Sequence, residues 1–138
     1  MKVIRSVASV VVSYVVVYGI VMLSDPVLMR LFPGQYVSGK VPPTFLLWIT
    51  TAVFAAASLL GGWLCVVIAP SRPGAHLAAL FCLGEVLGIY FTWHMWGQWP
   101  HWHSFVWLAV WPVCLWIGST LKRQPYAMPP VSPVQPIS

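Results

Sequence analysis

Charge is what this sequence has least of. Two acidic and seven basic residues serve 138 positions, 7% of the chain, where a soluble domain carries about 25%. So little charge cannot clothe a water-facing surface, which excludes an ordinary soluble fold. The net charge of +5 does not imply nucleic acid, because the seven bases are scattered and form no basic stripe. A P-loop, a glycine-rich nucleotide fingerprint and a recognisable nucleophile–base motif are also missing. No enzyme and no cofactor is therefore expected. Cysteine is scarce as well. Cys65, Cys82 and Cys114 all fall inside apolar runs and offer no disulfide framework. Without CxxC or CxH spacing they read as small hydrophobes rather than as a soft-metal site.

What the chain does have is apolar length. Hydrophobic residues make up 59% and the mean hydropathy is +0.83, so lipid is its natural solvent and first partner. Four runs reach the roughly 20 residues that a bilayer requires, at about residues 3–24, 44–69, 75–96 and 104–121. The expected fold is all-α, a bundle of four transmembrane helices. Valines dominate the first run, but its length and lack of turn residues favour a helix over strands. Pro112 sits near the middle of the fourth and predicts a kink.

Breaks are clearly marked. Asp25-Pro26 is expected to end the first helix, Pro42-Pro43 to precede the second, and "APSRPG", residues 69–74, to turn between the second and third. "VLMRLF", residues 27–32, would lie as a short amphipathic turn on the outer leaflet. The segment 122–138 holds five prolines after Lys122-Arg123 and reads as a disordered tail. Lys2 and Arg5 before an apolar run imitate a secretory signal. That run, about 17 residues, exceeds the usual 7 to 15 and lacks an A-x-A cleavage site, so a retained signal anchor is expected. Lys2, Arg5, Arg72, Lys122 and Arg123 fall on one side, and Arg30 and Lys40 on the other. The positive-inside rule then places both termini in the cytoplasm. A bacterial inner membrane is the expected location.

Helices in lipid associate through small residues. Gly84-x-x-x-Gly88, Ala57-x-x-x-Gly61, Ser58-x-x-x-Gly62 and Ser9-x-x-x-Ser13 supply them. The short 69–74 turn predicts that a hairpin of the second and third spans is the centre of the fold.

Glu85 is the sharpest single residue, the one acid inside a span and about ten residues into it. A charge there costs about 2.5 to 3.5 kcal/mol, so a neutral resting acid is expected. Helical spacing groups it with Ala78, Cys82, Ile89 and Thr92 on one inward face, with Tyr14, Thr50, Thr51 or Ser58 as hydroxyl partner. It reads either as a proton- or cation-binding acid or as a neutral hydrogen-bonding group. His76, beside Arg72, reads as interfacial.

The segment "WHMWGQWPHWHSFVW", residues 93–107, carries five of nine tryptophans and three of four histidines. Tryptophan favours the headgroup level, so the segment reads as an aromatic belt at the outer turn. His94, His101 and His103 are the candidate metal ligands, for copper or zinc.

The junction "GGWLCVVIAPSRPGAH", residues 61–76, resembles small uncharacterised four-helix membrane proteins of bacteria, in which Gly-Gly in the second span leads to an "AP-x-RP" cytoplasmic turn. That resemblance implies a layout and no activity. The function expected is a non-catalytic accessory or structural component, packing with itself or with other membrane subunits. The alternatives are a small oligomeric proton-coupled transporter or channel using Glu85, and an outward-facing metal-binding protein.

Overall fold

Long apolar runs bounded by proline give four helices. The computed structural model describes residues 1–37 and 39–121, and the proline-rich tail expected to be disordered lies outside them. The helices are α1 (Lys2–Leu31), α2 (Thr44–Ile68), α3 (Pro73–His94) and α4 (His101–Thr120). All four are long and apolar enough to cross a membrane. Backbone groups bonded within one helix need no partner from lipid. Buried hydroxyls follow the same rule: Ser13 donates to the Ser9 carbonyl at 2.7 Å and Ser58 to that of Phe54 at 2.7 Å.

Proline acts differently at different sites. Pro73 occupies the first turn of α3, where its missing N–H costs nothing. Pro26 does not end α1 as the sequence predicts: the helix runs through it for five more residues to Leu31. A proline removes one backbone bond, and the turns on either side hold the helix. "VLMRLF" is thereby mostly the last turn of α1 and not a separate surface turn. Pro112 likewise lies inside α4. The 69–72 turn is tight enough to put Arg72 in the left-handed region (φ 45°).

Side-chain pairs give the helix order. Gly61 of α2 meets Val17 and Ser13 of α1. On α2 and α4, Gly62 faces the Leu115 backbone and Gly118 faces the Leu59 backbone, while Trp107 donates its ring N–H to Thr51 at 3.1 Å. Trp111 and Leu108 of α4 cover Gly84 and Gly88 of α3. Walking round the bundle, the order is α1, α2, α4, α3, and the backbones of α1 and α4 do not approach each other. The α2–α3 hairpin is therefore not the centre of the fold. The turn ties the ends of α2 and α3, but Gly61 and Gly62 spend their close approach on α1 and α4. The centre is α2, packed most extensively on α4 and α1. Ala57, Cys65, Val17, Trp111 and Leu115 form the core there. Helix α3 is held least: Leu80 is its one buried residue.

Candidate functional site: a cavity holding both carboxyls

Loose packing of α3 leaves a cavity of about 410 Å³ between the four helices. It occupies the half of the bundle nearer the α1–α2 and α3–α4 loops, from Gly84 and Trp111 at its floor to Asp25, Tyr36 and Trp99 at its mouth. Its wall is mostly apolar and aromatic. Phe54 stacks on Trp107 with ring centres 4.3 Å apart and 6° between planes, and lies 6.0 Å from Trp111. Anchoring by Thr51 and by the Phe81 carbonyl, which accepts from Trp111 at 3.2 Å, fixes these rings.

Both acids of the chain line this one cavity. Glu85 reaches it from α3, half-buried, and no hydrogen-bond or ion-pair partner for its carboxyl is found among the described residues. Of the four hydroxyls expected beside it, Tyr14 and Thr50 share the cavity. Thr50 and Thr51 instead donate to the Leu47 carbonyl, at 2.9 and 2.8 Å, and Ser58 to its own helix. The expected inward face is only partly right. Glu85 and Thr92 line the cavity, whereas Ala78, Cys82 and Ile89 are exposed. At 3.6 residues per turn the inward face is centred near Gly88, about 60° round from Glu85. Cys82, a further 60° round on the far side of Glu85, thus faces away from the cavity.

Asp25 is the acid that sequence reasoning misplaced as a helix terminator. Its carboxylate accepts the Tyr36 phenol at 2.6 Å, tying the α1–α2 loop across the mouth. Burial, then the bond to Asp25, raises the Tyr36 phenol well above its ordinary value. Nothing local in the sequence announces a contact eleven residues away.

The sequence places His103 in the interfacial loop between the third and fourth spans. It lies in the first turn of α4, only 6% exposed, and lines the cavity. Its Nε2 is buried without a hydrogen-bond partner among the described residues. His94 and His101 are exposed. His94 stacks on Tyr90 at 5.9 Å, His101 on Trp96 at 4.2 Å and His103 on Trp99 at 5.6 Å. Each of the three histidines stacks on a different aromatic ring. No group of three or more metal-ligating side chains occurs among the described residues. His76 rests on the Arg72 carbonyl at 3.2 Å.

The small residues named from the sequence are all placed: Ala57, Ser58, Gly61 and Gly62 are buried on α2, and Gly84 and Gly88 lie under α4 side chains. Gly118 was missed, although Cys114-x-x-x-Gly118 has the same spacing.

Among the described residues the chain is all-helical, with four helices long and apolar enough to cross a membrane set around an aromatic cavity that both acids line. No known protein family, curated protein or solved structure matches the chain.

Proposed function

We propose that this chain is a multi-pass protein of the bacterial inner membrane, both termini cytoplasmic, that exchanges a proton at Glu85 as a small proton-coupled transporter or channel. The observation that carries this reading is the placement of the chain's one mid-span acid on the wall of a cavity rather than in a satisfied interhelical bond. An intramembrane acid facing a cavity marks a proton or ion path more often than a scaffold. A cation arriving beside a carboxylic acid favours release of its proton. The other titratable groups on the wall are Tyr14, Tyr18 and Asp25 of α1, Tyr36 of the loop and His103 of α4; α2 contributes none. Helix α3, which carries Glu85, is also the least anchored of the four, as a moving element would be.

Proton-coupled flux in proteoliposomes tests this. The Glu85→Gln variant, whose amide imitates the protonated acid, should fold and lose the flux; full flux in that variant overturns the reading. Reporter fusions after Thr120 should be cytoplasmic.

A second reading keeps the chain non-catalytic and accessory, packing laterally with other membrane subunits or with itself. It draws on α3, whose Val86, Ile89, Tyr90 and Trp93 are exposed. Native co-purification in mild detergent separates the two: a stoichiometric partner, together with full function of Glu85→Gln, favours the accessory role.

A further inference from the structure

We infer that the cavity binds an amphiphilic organic cation, specifically a protonated amine on an aromatic or alicyclic body. This rests on reading Glu85 as the cavity's working acid and adds the chemical class of what it meets.

Charge is the first argument. Asp25 and Glu85 are all the acids the chain possesses, and both face one space. Neither lysine nor arginine lines it among the described residues. An anion would find no partner there, and a neutral apolar molecule would leave two carboxyls unused. The two acids also lie at different depths, Asp25 at the mouth and Glu85 near the floor. A cation entering from the mouth therefore meets a carboxylate before it reaches the interior. Because Tyr36 already donates to Asp25, the mouth acid is half-satisfied and Glu85 is the stronger final partner.

Ring chemistry is the second. Tyr14, Tyr36, Phe54, Trp99, Trp107 and Trp111 contribute to the wall. Aromatic faces attract a cation held over them, most strongly when water is excluded, and tryptophan does so best. The same faces accept an apolar ring by stacking. A volume of about 410 Å³ lies within the usual range for small-molecule sites, about 300 to 1,000 Å³.

His103 narrows the class further. Its side chain is more than nine-tenths buried, and Nε2 has no partner. In the tautomer of the neutral imidazole that carries its proton on Nδ1, this unpaired Nε2 is a lone-pair acceptor. A buried unpaired acceptor costs free energy. An ammonium N–H removes that cost, whereas a quaternary ammonium has no proton to give. The site should therefore prefer a primary or secondary amine over its trimethylated analogue. Proton balance follows from Glu85: the acid loses one proton to solvent as the cation binds, and the cavity's net charge is unchanged.

Tryptophan fluorescence of the full chain in detergent reads occupancy, since three tryptophans line the cavity. The probes are naphthylethylammonium, its trimethylated analogue and the uncharged naphthylethanol. The ammonium should bind about tenfold or more tightly than the alcohol, the ratio expected of one charge-assisted hydrogen bond, and release about one proton. Glu85→Gln should abolish the preference for charge and the proton release; Glu85→Asp should retain the preference. His103→Phe should remove only the preference for the ammonium over the trimethylated form. Equal binding of ammonium and alcohol, or a preference surviving in Glu85→Gln, overturns the cation assignment and leaves the proton reading of Glu85 to its own flux assay. No response to any probe overturns the cavity as a ligand site.

Discussion

Trp111 of α4 lies directly over Gly84 of α3, its indole N–H donating to the Phe81 carbonyl at 3.2 Å. This contact seals the floor of the cavity and is one of few that hold α3 to the bundle. A Cβ at position 84 would overlap the indole ring. Gly84→Ala should therefore push the ring off its carbonyl partner. Overpacking costs about 1 to 3 kcal/mol, which exceeds the gain of about 1 kcal/mol from replacing a helical glycine. We expect a lower thermal midpoint by circular dichroism in detergent and altered tryptophan emission. Gly88→Ala, which meets only the flexible end of Leu108 at 3.2 Å, should be milder.

The α2–α4 seam makes a harder prediction. Any Cβ at Gly62 or Gly118 would strike backbone, that of Leu115 or Leu59, and backbone cannot rotate away. Gly62→Ala and Gly118→Ala should each destabilise by about 2 kcal/mol or more. Gly19→Ala and Gly74→Ala meet nothing within 4 Å and should be neutral or slightly stabilising. Thermal unfolding of the four variants side by side checks the ordering.

The Tyr36–Asp25 bond predicts a pH dependence with a definite sign. Folding raises the phenol's affinity for its proton. The stability it contributes is therefore fully present below the ordinary phenol value near pH 10 and lost as pH rises through the higher folded value. Tyr36→Phe should cost roughly 1 kcal/mol at neutral pH, since the bond is charge-assisted but partly exposed. The difference between wild type and variant should shrink in strong alkali. A spectrophotometric titration should show a late-ionising tyrosine step that is lost in Tyr36→Phe.

His103 should separate stability from function. Its Nε2 is buried without a partner, so His103→Phe removes an unsatisfied group and adds an apolar ring beside Trp99 and Trp107. We expect an unchanged or raised thermal midpoint together with loss of amine selectivity. A large fall in stability would instead make His103 a structural residue.

The helices were legible because lipid demands length and apolarity, and both are local properties. Helix ends were less so: Pro26 signals a stop, yet the turns either side of it carry α1 through. Helix order was not legible. Small-xxx-small spacing says that a face allows close approach but not which neighbour takes it, so Gly61 and Gly62 pointed to α3 and found α1 and α4. Glu85 stood out because a lone acid in an apolar run is conspicuous. Asp25 reads locally as a helix terminator and His103 as a metal ligand, because their places beside Tyr36 and on the cavity wall come from contacts across the bundle. The sequence places Trp99 and Trp107 in a belt in lipid, whereas both also line the cavity wall.

The central claim is that Glu85 holds an exchangeable proton inside the cavity. Infrared difference spectroscopy tests it most directly, because only two side chains of the whole sequence carry a carboxyl. The account predicts a protonated-carboxyl band at neutral pH that disappears in Glu85→Gln, persists in Asp25→Asn, and is lost from wild type when naphthylethylammonium is added. A band that is absent from wild type, or that survives in Glu85→Gln, or that ignores the cation, would contradict it.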